Sequence, residues 1–282
     1  MNLAEVVADS AEKLAASDIC DSYLEAEVLV RMVMNLDKAD FIRDLRVDVS
    51  PNEQKKIDRF VVRRKQREPL AYITGRKEFF GLDFIVNENV LVPRTETELI
   101  VETVIDYCNK WQTPALSIVD VGTGSGVIGI SLSYNLPFCD VICIDVSLEA
   151  LSVAQSNAEI HHVENKVTLL EGDLLSPVRE KKDIILSNPP YIPSNRISQL
   201  QEEVRREPVV ALDGGDDGFQ VIERLLEQSA KKLNTPGLLL IEIDTTHVCK
   251  VLLQASDHFP GSGISILKDC FGNDRFLKIE LF

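Results

Sequence analysis

Asp120-Val121-Gly122-Thr123-Gly124-Ser125-Gly126 closes an apolar run, Ala115–Val121, and opens a helical pattern that reaches Tyr134. A strand that turns into a helix through three glycines is the start of a βαβ unit whose backbone can approach a ligand closely. Outward from this turn the same alternation repeats. Strand patterns at Asp140–Ile144, Val167–Leu170 and Asp183–Leu186 surround a helix at Leu148–Ala158. After a long loop come a helix at Phe219–Lys232, a strand at Leu238–Ile243 and two closing strands around Gly272-Asn273. Strands alternating with helices predict an α/β fold: a doubly wound, Rossmann-like, mostly parallel sheet with an antiparallel edge. Ligands are expected at the carboxyl ends of its strands.

The segment before the sheet has a different texture. Residues 1–75 read as a small helical domain: Asn2 can cap a first helix with Glu5 in capping-box position. A second helix is expected over Tyr23–Leu36, and Ser50-Pro51 begins a third. That third helix carries Lys55, Lys56, Arg59, Arg63, Arg64, Lys65 and Arg67. Such a face is either solvated or a docking surface for an acidic partner or RNA. Residues 76–92, with Phe79, Phe84, Val86 and Val90 around Gly81 and Asn87-Glu88-Asn89, predict a β-hairpin linker. The larger domain then spans 93–282.

Composition argues against several classes. The net charge of −15 opposes a phosphate backbone, so no direct nucleic-acid substrate is expected. The 6 cysteines show no C-x-x-C spacing and the 4 histidines no ligand pattern, so no metal is expected. These cysteines read as reduced thiols of a cytoplasmic protein. No apolar stretch approaches the roughly 20 residues of a membrane span.

The glycine turn admits two cofactors. Gly124-Ser125-Gly126-Val127-Ile128-Gly129 also fits G-x-G-x-x-G, with Asp145 at the distance of a ribose-binding acid, so a nicotinamide dehydrogenase stays open. Asp120 beside the loop would repel a pyrophosphate but suits the ammonium of a methionine moiety. Asp145 can accept from a ribose diol, and Asp173 from an adenine amino group. Three acids around one pocket favour a cationic, sulfonium-bearing ligand.

The fourth strand runs into Asn188-Pro189-Pro190-Tyr191. Two consecutive prolines remove two backbone donors and fix φ, giving a stiff corner with free acceptors. That is what a planar NH2 substrate needs: the Asn188 side-chain oxygen and the Pro189 carbonyl each accept one N–H, while Tyr191 covers the group's face. An amide nitrogen is a poor nucleophile, since full loss of its conjugation costs on the order of 18–20 kcal/mol. Two hydrogen bonds that gain charge character supply about 3–6 kcal/mol. They therefore favour partial pyramidalisation and strengthen as positive charge grows on nitrogen. No general base is needed before attack.

These motifs, with Arg67-Glu68-Pro69-Leu70-Ala71-Tyr72-Ile73-Thr74-Gly75, Val92-Pro93-Arg94-Thr95-Glu96-Thr97-Glu98, Arg206-Glu207-Pro208 and Gly272-Asn273-Asp274-Arg275, resemble the protein-(glutamine-N5) methyltransferases of release factors, the HemK or PrmC family. Asn-Pro-Pro-Tyr alone is also found in adenine-N6 DNA methyltransferases, the alternative within the class. The resemblance implies a class I methyltransferase domain behind an N-terminal helical domain, and S-adenosylmethionine as cofactor. It implies the glutamine of the release-factor Gly-Gly-Gln loop as substrate, in support of translation termination; the chain itself is expected to be a monomer. Cofactor contacts carry over to Gly122, Thr123, Gly124, Ser125, Gly126, Asp145 and Asn188, with Leu174 near the adenine; the substrate motif carries over to Asn188 through Tyr191. Thr95 stands where a proline is usual and Leu174 where some members carry an aromatic. Glu242-Ile243-Asp244-Thr245-Thr246-His247 replaces Glu-x-Gly-x-x-Gln.

Overall fold

A computed structural model describes residues 1–111 and 116–282; the expected strand residue Ala115 lies outside them. The chain forms two compact units, residues 1–75 with 202–206, and residues 76–201 with 207–282.

In the first unit lie α1 (Leu3–Ala15), α2 (Ser22–Met34), α3 (Lys38–Arg43), α4 (Pro51–Lys65) and α5 (Leu70–Thr74). Asn2 and Glu5 exchange hydrogen bonds of 3.0 Å in a capping box. Ser50 and Glu53 repeat it at the start of α4, where Pro51 loses no helical bond. Leu3, Val6, Leu14, Leu29 and Ile57 are fully buried between these helices. Each contributes about 1.5–3 kcal/mol of hydrophobic stabilisation. The basic run of α4 does not form one solvated face. Arg64 is buried, pairs with Glu25 at 2.5 Å and Glu203 at 3.0 Å, and Arg67 reaches the same Glu203 at 3.1 Å. Removing water from a guanidinium is costly unless carboxylates saturate it, and this pairing draws residues 202–206 into the unit.

The second unit opens with the hairpin β1 (Arg76–Phe79) and β2 (Leu82–Ile85), paired antiparallel. A seven-stranded sheet follows: β3 (Ser117–Val121), β4 (Asp140–Asp145), β5 (Val167–Glu171), β6 (Lys182–Ser187), β7 (Leu233–Glu242), β8 (Gly263–Lys268) and β9 (Asp274–Leu281). Its order is β5-β4-β3-β6-β7-β9-β8. The first five strands are parallel, and β9 runs antiparallel to β7 and β8. This is the mostly parallel class I methyltransferase sheet with its antiparallel edge.

Helices α6 (Glu98–Trp111), α7 (Val127–Asn135), α8 (Leu148–Ile160), α9 (Gln220–Lys232) and α10 (Val248–His258) cover the sheet. Two cores result. Ile118, Val141, Ile184, Leu238 and Leu240 pack on one side with Ile100 and Ile128. Val119, Ile144, Ile185, Leu239 and Ile241 pack on the other with Ile222 and Val251. Alternate residues feed opposite cores, so the central strands are apolar throughout. Neither α6 nor α10 was expected from the sequence, although Ile100, Val101, Val104 and Cys108 keep helical spacing and are all buried.

The chain lays β4 and β5 on one side of β3, then returns to place β6 on the other. Such a reversal opens a crevice at the strands' carboxyl ends. Val121 and Ser187 are register partners there, and Ser187 Oγ donates to the Val121 carbonyl at 2.7 Å. The glycine turn and the diproline corner therefore leave the sheet side by side.

Candidate active site

At that edge lies a cavity of about 640 Å³, the size of a nucleoside-type ligand site. Gly122, Gly124, Asp145, Leu174, Asn188 and Pro190 line it. The glycine turn is held from below: the amides of Gly122 and Thr123 both donate to the Ile144 carbonyl, at 2.8 and 2.9 Å. Gly124 has φ +56° with open space where a Cβ would stand, so its absent side chain serves conformation and access. Gly126 is constrained twice. Its φ is +83°, and a Cβ would lie 2.6 Å from Ile130 Cδ1 and 3.2 Å from Ala154 Cβ.

Asp145 ends β4 with both oxygens engaged, Oδ2 accepting from Gly124 N at 2.8 Å and Oδ1 from Ser147 N at 3.0 Å. Burial nevertheless raises its carboxyl above the usual range, against those backbone bonds. An ionised carboxylate has about four acceptor positions. Acceptor capacity thus remains where Asp145 lines the cavity, for the hydroxyls of a diol.

The other acids correct the expectation of three carboxylates around one pocket. Asp120 is fully buried and does not line the cavity. Successive strand residues face opposite ways, and Asp120 shares the face of Ile118, toward α7. Its Oδ2 accepts from Thr123 Oγ1 at 2.6 Å and from Gly129 N at 3.1 Å, bracing the turn from behind. Its Oδ1 has no partner among the described residues, and burial lifts the carboxyl to about 6. Asp173 lines the cavity but is exposed and paired with Arg224. Thr123 and Ser125 are buried, and neither they nor Gly126 line the cavity, so any part they play is through backbone and support. Leu174 sits on the wall in a left-handed conformation, φ +53°.

Asn188 and Pro190 also line the wall, Pro189 is buried, and Tyr191 is half-buried and outside the lining. Among the described residues the Pro189 carbonyl accepts no hydrogen bond. Tyr191 turns its hydroxyl to Glu242 Oε1 at 3.2 Å, and Thr97 Oγ1 donates to Glu242 Oε2 at 2.7 Å. Asn188 Nδ2 in turn donates to Thr97 Oγ1 at 3.1 Å. Burial pushes the Glu242 carboxyl up to about 7. Sequence reasoning missed Thr97 and Glu242 as site residues. The available signal was an acid closing the wholly apolar run Leu238–Ile241.

Two further motifs meet beside the site. Glu207 accepts from Val92 N at 2.9 Å and from Arg94 at 2.6 Å while being 4% exposed, so it clamps the entry to α6. In the stretch that departs from the family pattern, Asp244 accepts from Thr246 N at 2.8 Å, and His247 Nε2 lies 3.1 Å from the Asp217 carbonyl while its buried Nδ1 has no partner among the described residues.

The residues fit a cationic nucleoside cofactor. A diol acceptor, an apolar wall and a buried, half-satisfied carboxylate behind the turn make a field that favours a sulfonium over a pyrophosphate. Comparison with known proteins agrees. Residues 5–75 match the PrmC N-terminal domain and residues 97–207 the methyltransferase small domain. A release factor glutamine methyltransferase of Moorella thermoacetica is 38% identical over 98% of this chain and 97% of its own length. This chain belongs to the release factor glutamine methyltransferase family. The family member of Geobacter sulfurreducens is 39% identical over 82% of this chain and 80% of its own. A methyltransferase from Pyrococcus furiosus shares the fold, with TM-score 0.52 and 20% identity over 72% of this chain and 89% of its own. Membership sets the nicotinamide alternative aside.

Proposed function

We propose that this chain transfers a methyl group from S-adenosylmethionine to the side-chain amide nitrogen of the glutamine in the Gly-Gly-Gln loop of release factors, supporting translation termination. The observation that carries this reading is the Val121–Ser187 register, which seats the glycine turn beside the diproline corner. On this reading residues 1–75 form an N-terminal domain, 76–92 a linker and 93–282 the methyltransferase domain. The enzyme works as a monomer in the cytoplasm. Among the described residues, no helix is long and apolar enough to cross a membrane.

Bound in the cavity, S-adenosylmethionine supplies an electrophilic methyl on a sulfonium. The protein's part is positioning. Asp145 takes the ribose diol, Leu174 packs on the base, and Gly122 and Gly124 leave room for close backbone approach. At the corner, Asn188 Oδ1 and the Pro189 carbonyl each accept one N–H of the glutamine amide. As the nitrogen gains positive character these bonds strengthen, contributing about 3–6 kcal/mol where it lowers the barrier. Fixing the nitrogen in line with the methyl contributes up to about 7–11 kcal/mol in ideal cases. The nitrogen would attack while neutral: the N–C bond forms as the methyl–sulfur bond breaks, the sulfur leaves as a neutral thioether with that electron pair, and the methylated nitrogen then gives a proton to solvent. Labelled methyl transfer to purified release factor tests the reading. Label should enter wild-type factor and not a variant lacking the loop glutamine, and Asn188→Ala should bind S-adenosylmethionine yet turn over at a small fraction of the normal rate. Label in the glutamine-less factor would refute the substrate, and normal turnover by Asn188→Ala the mechanism.

A further inference from the structure

The proposed role of Asn188 needs its oxygen, and an amide presents that oxygen from one end only. Rotated half a turn, Asn188 would offer an NH2 to the NH2 of a glutamine, donor against donor. Nothing in asparagine's own shape prevents this, because its two ends are nearly isosteric.

The proton count of its neighbours does prevent it. Glu242 is 2% exposed at the end of β7, and as a carboxylate it can only accept. Tyr191 donates to one of its oxygens and Thr97 to the other. Thr97 has a single hydroxyl proton, and it is committed to Glu242. Only lone pairs of Thr97 remain for Asn188, and a lone pair bonds the NH2 end of an amide. Asn188 Nδ2 makes that bond at 3.1 Å, and Oδ1 accepts no hydrogen bond among the described residues. The direction of the chain thus follows from chemistry at Glu242, three side chains from the substrate position.

We propose that Thr97 and Glu242 are positioning residues for the methyl transfer: through one directed chain of hydrogen bonds they lock the Asn188 amide with its oxygen, not its NH2, turned to the substrate amide. The proposal rests on the function assigned above to Asn188. It also explains why one carboxylate holds Tyr191. Both side chains of the corner that are not proline are tied to the same buried group.

Single-turnover methyl transfer to release factor by wild type, Thr97→Val, Thr97→Ser and Asn188→Ala tests it, with S-adenosylmethionine affinity measured on each. Thr97→Val keeps the shape and removes the hydroxyl. It should lower kcat about tenfold to a hundredfold, with cofactor affinity within about twofold of wild type. Thr97→Ser, which restores the hydroxyl, should recover most of that loss. A second readout is the pH profile. The groups facing Glu242 are Thr97, Tyr191, Arg275 and Glu96. A proton on Glu242 makes it a donor as well, and the chain loses its direction. Wild-type kcat should therefore fall below about pH 7, and Glu242→Gln should turn over more slowly without that acid limb. Wild-type kcat in Thr97→Val beside an inactive Asn188→Ala would overturn the proposal, as would an unchanged acid limb in Glu242→Gln. An active Asn188→Ala would instead remove the function on which it rests.

Discussion

Asp145→Asn keeps the outline of the side chain and turns one acceptor into a donor. In the wild type the two oxygens divide four acceptor positions between the protein and the cavity: Gly124 N and Ser147 N take one on each oxygen. Asparagine has one oxygen, so one of those amides meets an NH2 and the side chain must rotate away from it. A hydrogen bond to an ionised acceptor is worth about 1.5–3 kcal/mol. Losing one bond to the ribose weakens S-adenosylmethionine about 10- to 150-fold. Asp145→Ala removes both, about 3–6 kcal/mol, so the near-isosteric variant should fall about midway between wild type and alanine. Isothermal titration calorimetry with S-adenosylmethionine on thermally intact variants measures this directly. An asparagine variant within about twofold of wild-type affinity would refute the assignment of Asp145 to the diol.

Gly126→Ala should destabilise the second unit by about 1–2 kcal/mol for the left-handed backbone and a further 1–3 or so for crowding Ile130 and Ala154; chemical denaturation would read this as a shifted midpoint at constant slope. Glu207→Ala leaves a buried Val92 amide and Arg94 without their acceptor, and should cost about 2–4 kcal/mol, whereas a change below about 0.5 kcal/mol would show the clamp to be dispensable. Burial raises Glu242 from its ordinary 4.5 to about 7, so between those values the folded chain binds more protons than the unfolded one. Stability should therefore fall as pH rises from about 4.5 to 7, by on the order of 3 kcal/mol from this group. Asp120 acts in the same direction, and urea titrations across that range should show a shallower fall in Glu242→Gln.

Much of this was legible in the sequence because the signals were local. Three glycines after a strand, an Asn-Pro-Pro-Tyr corner after another, and capping boxes at Asn2 and Ser50 each constrain the backbone where they stand. What stayed hidden depends on direction. That Asp120 adjoins the glycine turn is plain from order alone, but strand alternation sends its side chain to the α7 face, away from the ligand. Helix α6 is hard to read in sequence because its apolar residues follow directly on the irregular Val92–Thr97 segment, whose shape depends on Glu207, more than a hundred residues onward. Thr97 and Glu242 are 145 residues apart and meet only through packing. Arg64 reads in sequence as one of a row of surface cations, because the partners that let it be buried, Glu25 and Glu203, stand 39 and 139 residues away.

The pairing of Val121 with Ser187 has a consequence for how such an enzyme can change. Neighbouring strands lie about 4.8 Å apart wherever a ladder forms, so the interval between the donor seat and the acceptor seat is ruled by main-chain bonding, the same for any residues that build the strands. Side chains around the rim are then free to drift toward a different target without loosening the gap the methyl must cross. Inserting a single residue near the end of β6 would do the opposite, leaving the rim unaltered and swinging the corner to the wrong side of the sheet.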